Sequence, residues 1–212
     1  MRARPALVLF DLDGVLAAYD RRRRCEALAR STGAELAQVQ AALFGNDGLE
    51  HASDRGELSL AEYLQALRTR HGWRVDRGSF LEARRDATRV DAGMLRLCER
   101  LAPQAALAVF TNNGAWFGDE LPTIAPALAL RFHRRVVTSG ALQRTKPDPR
   151  AYADCLACLG VRADATLFID DNADNVHGAL AAGLDALHFH DPAALRAELR
   201  ARGLDTGDDD AS

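Results

Sequence analysis

A short apolar segment that runs straight into two aspartates constrains this chain more than any other feature. Residues 6–16 read ALVLFDLDGVL, so the apolar run leads directly to Asp11 and Asp13, with one residue between them, and then to Gly14. Two carboxylates this close repel each other unless a cation or a proton compensates their charge. The segment therefore predicts a strand that ends at a charged site, with Gly14 allowing the tight turn that follows.

Four further β-rich segments share the character of the first. Each is a few residues long and apolar without alternation, as expected of parallel strands covered on both faces. Helical patterns separate the later ones, and Asp91, Asp148 and Asp191 are their predicted N-caps. Strands that alternate with helices indicate an α/β fold with a doubly wound, parallel, Rossmann-like sheet. The five predicted strands cover residues 6–10, 106–110, 135–139, 166–170 and 186–190.

The segment from residue 19 to residue 89 departs from this alternation. It contains no convincing strand, and its apolar residues recur at helical spacing. One of its predicted helices begins with a capping box formed by Ser59 and Glu62. We therefore expect an all-helical domain of residues 19–89, inserted after the first strand of a core domain of residues 1–18 and 90–212. This position predicts a lid over the carboxyl ends of the strands, where open α/β sheets bind ligands.

Charge and hydropathy argue against several classes of function. The net charge is −3, so no general electrostatic attraction to nucleic acid or to an anionic membrane is expected. No apolar run approaches the length that spans a bilayer, and the first one is too short for a signal peptide. The four cysteines are scattered, which suits a reducing compartment. We therefore expect a cytoplasmic protein whose partner is a small molecule.

Polar side chains follow four of the five predicted strands. In a doubly wound sheet these strand ends meet in one crevice. Clustered carboxylates suit Mg²⁺, which uses a few carboxylates together with substrate phosphate. Such a cation would remove the repulsion between the aspartates, and a lysine and a hydroxyl would bind a dianionic phosphoryl group and its transition state. The residues in question are Asp11, Asp13, Thr111, Asn112, Asn113, Lys146, Asp170, Asp171, Asp174 and Asn175.

These segments resemble the four motifs of the haloacid dehalogenase-like (HAD) superfamily. DLDGVL, FTNN, the Lys146–Pro147 pair and FIDDNADN occur in the family's order, and the core and the insertion together cover nearly the whole chain. The helical insertion after the first motif resembles the C1 cap of subfamily I. DRGELSLAEYLQAL and FIDDNADNVHGA are similar to the branch that contains glucose-1-phosphate phosphatase and the N-terminal phosphatase domain of epoxide hydrolases.

The resemblance implies a role for each motif residue. Asp11 would be the nucleophile that forms an aspartyl-phosphate, and Asp13 would be the general acid and then the general base. Mg²⁺ would be bound by the Asp11 carboxylate, the Asp13 backbone carbonyl and a fourth-motif acid. We favour Asp171 as that direct ligand, with Asp170 orienting Lys146 or reaching the metal through water. The phosphoryl oxygens would be held by Thr111, Asn112 and Lys146.

Two segments of the insertion are candidates for substrate contacts. The loop of residues 46–57 is polar, and loops in this position often contact substrate in the superfamily, so Glu50, His51 and Arg55 are candidate specificity residues. The run Arg21–Arg24 could attract phosphate, but such a charge run is more often a solvated helix face, and we favour that interpretation.

The sequence thus predicts a Mg²⁺-dependent phosphomonoesterase that acts on a small molecule, and we favour a sugar phosphate. A phosphomutase would share every core motif and differ in how the cap retains the intermediate. A 2-haloacid dehalogenase is disfavoured by Asp13, because those enzymes lack an aspartate there and need no Mg²⁺. A non-enzymatic regulator on this fold would be expected to lose a catalytic group, and none is missing. The oligomeric state is not predicted.

Overall fold

The computed structural model describes residues 4–132 and 134–207. Its main sheet has five parallel strands in the order β5-β4-β1-β6-β7. The strands are β1 (Leu7–Phe10), β4 (Ala106–Thr111), β5 (Val136–Thr138), β6 (Thr166–Asp170) and β7 (Asp185–His188). The predicted doubly wound parallel sheet is therefore confirmed, and the ends of β1, β4 and β6 lie side by side at its centre.

The central strand is buried because helices cover both faces of the sheet. All four residues of β1 are buried, and successive residues point to opposite faces. Val8 and Phe10 join one hydrophobic cluster, while Leu7 and Leu9 join a second one on the other face. The covering helices are α6 (Ala92–Leu101), α7 (Phe117–Ile124), α8 (Pro126–Phe132), α9 (Ser139–Leu142), α10 (Pro149–Leu159), α11 (Ala173–Ala181) and α12 (Pro192–Arg200), and a 3-10 turn covers Ala163–Ala165.

The predicted N-caps set where three of these helices begin. The carboxylates of Asp91, Asp148 and Asp191 each accept a hydrogen bond from a backbone N–H in the first turn, at 2.8–2.9 Å. Each cap supplies an acceptor for an N–H group that has no partner within the helix. The caps therefore fix where the chain turns from loop to helix on the faces of the sheet.

Five helices lie between β1 and α6, and we call residues 21–86 the helical insertion. They are α1 (Arg21–Thr32), α2 (Leu36–Phe44), α3 (Leu49–Asp54), α4 (Leu60–His71) and α5 (Arg77–Asp86). The predicted capping box is present at α4, where Ser59 and Glu62 bond each other's backbone N–H groups. Apolar residues of these helices belong to the same cluster as Val8 and Phe10, so the insertion and that face of the sheet share one core.

The expectation that no strand lies between residues 19 and 89 is wrong at both ends of that segment. Strand β2 (Ala17–Tyr19) pairs antiparallel with β3 (Thr88–Val90), and Ala18 lies opposite Arg89. Three-residue strands are too short to show a period in the sequence, and their pairing joins positions far apart in the chain. This two-stranded ribbon ties the entry of the helical insertion to its exit.

None of the helices in the described ranges is long and apolar enough to cross a membrane.

Candidate active site

The carboxyl ends of β1, β4 and β6 open into a cavity of about 310 Å³ beneath the helical insertion. The sheet side of the cavity carries the residues of all four sequence motifs, and the other side carries residues of β2 and of α1 to α3. Lining side chains from the sheet side are Asp11, Asp13, Thr111, Asn112, Asn113, Lys146, Asp171, Asn172 and Asn175, and those from the other side are Tyr19, Arg21, Phe44, Glu50, His51 and Asp54.

Lys146 is the electrostatic centre of the sheet side. Its Nζ atom lies 2.9 Å from Oδ1 of Asp11 and 2.7 Å from Oδ2 of Asp170, and it also donates to the carbonyl of Phe110 at 3.1 Å. Burial disfavours the ammonium, but the two carboxylates outweigh burial and raise the pKa of Lys146. Lys146 is therefore a fixed positive charge beside Asp11.

Asp11 is buried, and the negative charges around it are not fully compensated by the positive charge of Lys146. Burial is the main influence on the Asp11 carboxyl, and with the nearby charge of Asp170 it raises the pKa of Asp11 despite Lys146. An ionised Asp11 therefore needs a further positive charge close by. Asp11, Asp170 and Asp171 each place one carboxylate oxygen within 4.8 Å of the others. Hard oxygen donors at this spacing fit Mg²⁺.

The two aspartates of the fourth motif have different surroundings. Asp170 is fully buried and accepts hydrogen bonds from Lys146, from the backbone of Asn172 at 2.8 Å and from the side chain of Asn175 at 3.0 Å. Asp171 faces the cavity, and partial burial together with the charge of Asp170 raises the pKa of Asp171. Asp170 is thus held from several sides, while Asp171 is open to a ligand.

Asn112 and Thr111 are placed for different tasks. The Asn112 side chain accepts from the backbone N–H of Lys146 and donates to its carbonyl, both at 3.0 Å, so this amide secures the Lys146 loop. The expected direct phosphate contact by this side chain would require these two bonds to break. The Thr111 hydroxyl accepts from Asn113 at 2.9 Å, which leaves its hydrogen free to donate into the cavity.

Asp13 is paired with a residue that sequence analysis missed. Nη2 of Arg84, in α5, donates to Oδ2 of Asp13 at 2.6 Å, and the Arg84 side chain is only 1% exposed. In the sequence Arg84 looks like its neighbour Arg85. A usable signal was its position three and four residues after Leu81 and Phe80, which puts Arg84 on the buried face of the helix.

The run Arg21–Arg24 is a solvated helix face at its first three positions, which are exposed, but not at Arg24. Arg24 is 1% exposed, pairs with Glu50 at 3.0 Å and donates to the Tyr19 hydroxyl at 2.9 Å. Arg21 lines the cavity, with its guanidinium 5.1 Å from the centre of the Phe44 ring. The helical period explains the difference, because a run of four residues covers every side of a helix and one member must face inward.

Of the three specificity candidates in the insertion, two line the cavity and one does not. Glu50 lines the cavity but also accepts from the Tyr63 hydroxyl at 2.6 Å. Burial alone would favour its neutral form, yet Arg24 and the Tyr63 hydrogen bond hold the pKa of Glu50 below its usual value. His51 also lines the cavity. Arg55 does not line it, because its guanidinium pairs with Glu57 at 2.6 Å on the surface, so the expectation for Arg55 is not supported.

Asp54 is a cavity residue that the sequence did not single out. Burial, reinforced by the charge of Glu50, raises the pKa of Asp54 to about 8. Its backbone carbonyl accepts from the Ser139 hydroxyl at 2.7 Å, and the neighbouring Ser53 accepts from the Trp116 indole at 3.0 Å. These bonds attach α3 of the insertion to the sheet side and hold Asp54 at the cavity wall.

Comparison with known proteins agrees with the motifs. Residues 5–183 match the family model described as haloacid dehalogenase-like hydrolase. The chain is 31% identical over 191 residues to Phosphatase MT3486 of Mycobacterium tuberculosis (strain CDC 1551 / Oshkosh), and the match covers 84% of each protein.

Solved structures share the fold. A HAD-like family hydrolase from Porphyromonas gingivalis has a TM-score of 0.76 and 22% identity, covering 94% of this chain and 99% of that one. A HAD family enzyme from Bacteroides thetaiotaomicron, in complex with magnesium and inorganic phosphate, has a TM-score of 0.75 and 21% identity, covering 90% and 98%. At these identities the structural similarity establishes the fold alone, and the match to residues 5–183 establishes the family. The chain belongs to the haloacid dehalogenase-like hydrolases.

Proposed function

We propose that the protein is a Mg²⁺-dependent phosphomonoesterase that hydrolyses small phosphorylated molecules through an aspartyl-phosphate on Asp11. One observation carries the proposal. The carboxylate of Asp11 lies 2.9 Å from the buried ammonium of Lys146, and it shares the cavity with the carboxylate of Asp13. The same cavity offers the oxygens expected of a hard cation site.

The metal would be held by the carboxylates of Asp11 and Asp171 and by the backbone carbonyl of Asp13, with Asp170 behind them. When bound, it would supply the positive charge that keeps Asp11 ionised and that neutralises the phosphoryl oxygens. Asp170 already bonds Lys146 and Asn175, so its role in this proposal is to hold Lys146 in place.

The residues of the chain then divide the chemistry between them. A carboxylate oxygen of Asp11 attacks phosphorus, the bond from phosphorus to the leaving oxygen breaks, and Asp13 gives that oxygen a proton. In the second step Asp13 takes a proton from water as the water attacks phosphorus, which releases Asp11 and inorganic phosphate. Lys146 and the Thr111 hydroxyl stabilise the charge on the phosphoryl oxygens throughout.

We further propose that residues 19–89 act as a cap that limits the size of the substrate. A cavity of about 310 Å³ admits a small metabolite and not a folded phosphoprotein. Its wall on the insertion side is polar, with Arg21, His51 and Asp54 available to hydroxyl groups of a leaving alcohol. A sugar phosphate suits this wall, and the cap would exclude bulk water during transfer.

The test is turnover of a phosphate-ester panel by the wild type and by Asp11→Asn, with Mg²⁺ or with EDTA. We expect metal-dependent phosphate release by the wild type, and loss of several orders of magnitude in the variant. Asp164→Asn is a matched control, because Asp164 is an exposed acid that does not line the cavity. Metal-independent turnover, or an active Asp11→Asn, would overturn the proposal.

Two further readouts separate related reactions. Interconversion of sugar phosphates with little free phosphate would identify a phosphomutase. Halide release from a 2-haloacid without metal would identify a dehalogenase, a reaction for which Asp13 has no use.

A further inference from the structure

Asp13 depends on one residue for its position. Of its two carboxylate oxygens, Oδ1 is buried and has no hydrogen-bond partner among the described residues. Oδ2 receives Nη2 of Arg84 at 2.6 Å, while the Asn113 amide lies 3.5 Å from it, at the limit of a hydrogen bond. The side chain of Asp13 therefore has a single strong contact, and that contact comes from the helical insertion.

Arg84 is itself held rigidly. Its guanidinium carbon lies 3.5 Å from the centre of the Tyr19 ring and 5.1 Å from that of Phe117, so the group packs against two aromatic side chains. Nη1 donates to the Thr88 hydroxyl at 3.3 Å. Stacking and a hydrogen bond fix the plane of the guanidinium, and the planar group then fixes the carboxylate that it binds.

Stability alone accounts poorly for this pair. Burying an arginine has a large desolvation cost, and an apolar side chain of similar volume often stabilises a fold equally well. Moreover, the Asp13 side chain is 24% exposed and lines the cavity, so the pair joins a fully buried cation to a carboxylate that can reach a ligand. A cation in this position can orient the Asp13 carboxylate, which an apolar residue could not do.

We infer that Arg84 is a positioning residue that holds Asp13 at the leaving oxygen of the substrate. This inference rests on the proposed function, in which Asp13 protonates the leaving group. Arg84 belongs to the insertion, so the orientation of Asp13 requires that α5 be packed against Tyr19 and Phe117. The geometry of the insertion thereby controls proton transfer as well as substrate size.

The test uses leaving groups of different basicity. An alkyl phosphate such as glycerol phosphate needs a proton on its leaving oxygen, whereas 2,4-dinitrophenolate leaves without one. We expect Arg84→Gln to lower kcat/KM for the alkyl ester about 100-fold more than for the dinitrophenyl ester, within the range of general acid catalysis. This parameter reports the steps up to departure of the alcohol, so the later role of Asp13 does not enter. Arg85→Gln, on the exposed side of α5, is the matched control and should leave both values unchanged.

Further variants keep the outcome decisive. Arg84→Lys keeps the charge and should restore part of the difference, and it serves in place of the glutamine variant if that variant does not fold. In an Asp13→Asn background, which should itself show the leaving-group effect, Arg84→Gln should add nothing to it, because Arg84 acts through Asp13. Equal losses on both esters in a folded Arg84→Gln protein would overturn the inference. Wild type that hydrolyses neither ester with Mg²⁺ would instead overturn the proposed function.

Discussion

The backbone of Gly14 lies directly against the carboxylate of Asp171. Gly14 has a φ of +97°, and a Cβ atom at this position would overlap the Oδ1 and Oδ2 atoms of Asp171. The turn that follows β1 therefore needs glycine for two reasons, its own conformation and the room that it leaves for the acid of the fourth motif. The first and fourth motifs are in contact at this point.

We predict that Gly14→Ala weakens metal binding in addition to destabilising the fold. The added methyl group would displace Asp171, so we expect about 10- to 100-fold weaker Mg²⁺ activation. The positive φ adds a conformational cost of about 1–3 kcal/mol in the free energy of unfolding. Mg²⁺ titration of activity and urea unfolding measure the two effects.

Gly33→Ala is the matched control for this prediction. Gly33 also has a positive φ, of 72°, but a Cβ atom there would meet nothing within 4 Å. The control should therefore show the conformational cost without any change in Mg²⁺ activation. Equal Mg²⁺ titrations for Gly14→Ala and the wild type would contradict the proposed contact with the metal site.

Replacing Lys146 by methionine should destabilise the metal-free protein. The substitution keeps the shape of the side chain but leaves Asp170, which is fully buried, without its cation. Losing one partner of a buried ion pair costs about 3–5 kcal/mol. Urea unfolding in EDTA measures this loss, and Arg144→Met, which breaks a more exposed pair with Asp154, is the comparison. A loss no larger than that of the comparison would show that Asp170 is stabilised by other means.

Glu50, in α3, should prove more important for stability than an exposed carboxylate of the insertion. Glu50→Gln leaves the buried guanidinium of Arg24 without its counter-charge, and we expect a loss of about 3 kcal/mol in the free energy of unfolding. The double variant Arg24→Met with Glu50→Leu should recover part of that loss. Glu57→Gln, in the exposed pair with Arg55, should have no measurable effect. If the losses of the single variants at Arg24 and Glu50 add up to the loss of the double variant, the two residues do not form a coupled pair.

Asp54 should make the stability of the protein depend on pH. The pKa of Asp54 is raised from 3.8 to about 8, so the folded protein keeps a proton that the unfolded chain releases above about pH 4. This stabilising contribution is complete below pH 4 and is lost as the pH rises toward 8, at up to about 1.4 kcal/mol per pH unit.

Urea unfolding of Asp54→Asn between pH 4 and 9, without added metal, checks this dependence. Its stability should fall less steeply with pH than that of the wild type. Asp47→Asn, at an exposed acid just before α3, should follow the wild-type curve. Parallel curves for Asp54→Asn and the wild type would show that the Asp54 carboxyl is ionised in the fold.

The sequence was most informative where local chemistry and position coincide. Asp11 follows a buried strand, and Thr111 and Asp170 are the last residues of two others. Parallel strands bring these carboxyl ends together by topology. Lys146 had a further signal, because it is the only lysine in a chain with 27 basic Lys and Arg residues. The helix caps were equally local. The cytoplasmic location and the lack of nucleic-acid or membrane partners stay predictions.

The contacts that the sequence did not reveal all join positions far apart in the chain. Arg84 reaches Asp13 across 71 positions, and Asn112 reaches Lys146 across 34. In an arginine-rich chain, composition does not distinguish a buried arginine that forms an ion pair in the site from a solvated one. Helical spacing favours Arg84 over Arg85 for the buried face of α5. It does not show that the partner of Arg84 is Asp13.

Because β2 and β3 pair with each other, the helical insertion between them could be replaced without changing the core. Ala18 and Arg89 face each other across one strand pair, at a Cα separation of about 5 Å, so a single tight turn could join them. A gene could therefore exchange everything between those two positions for a longer or shorter segment while the order of the parallel strands stays as it is. If Arg84 positions Asp13 as we infer, an exchanged segment would also have to supply a cation at that place.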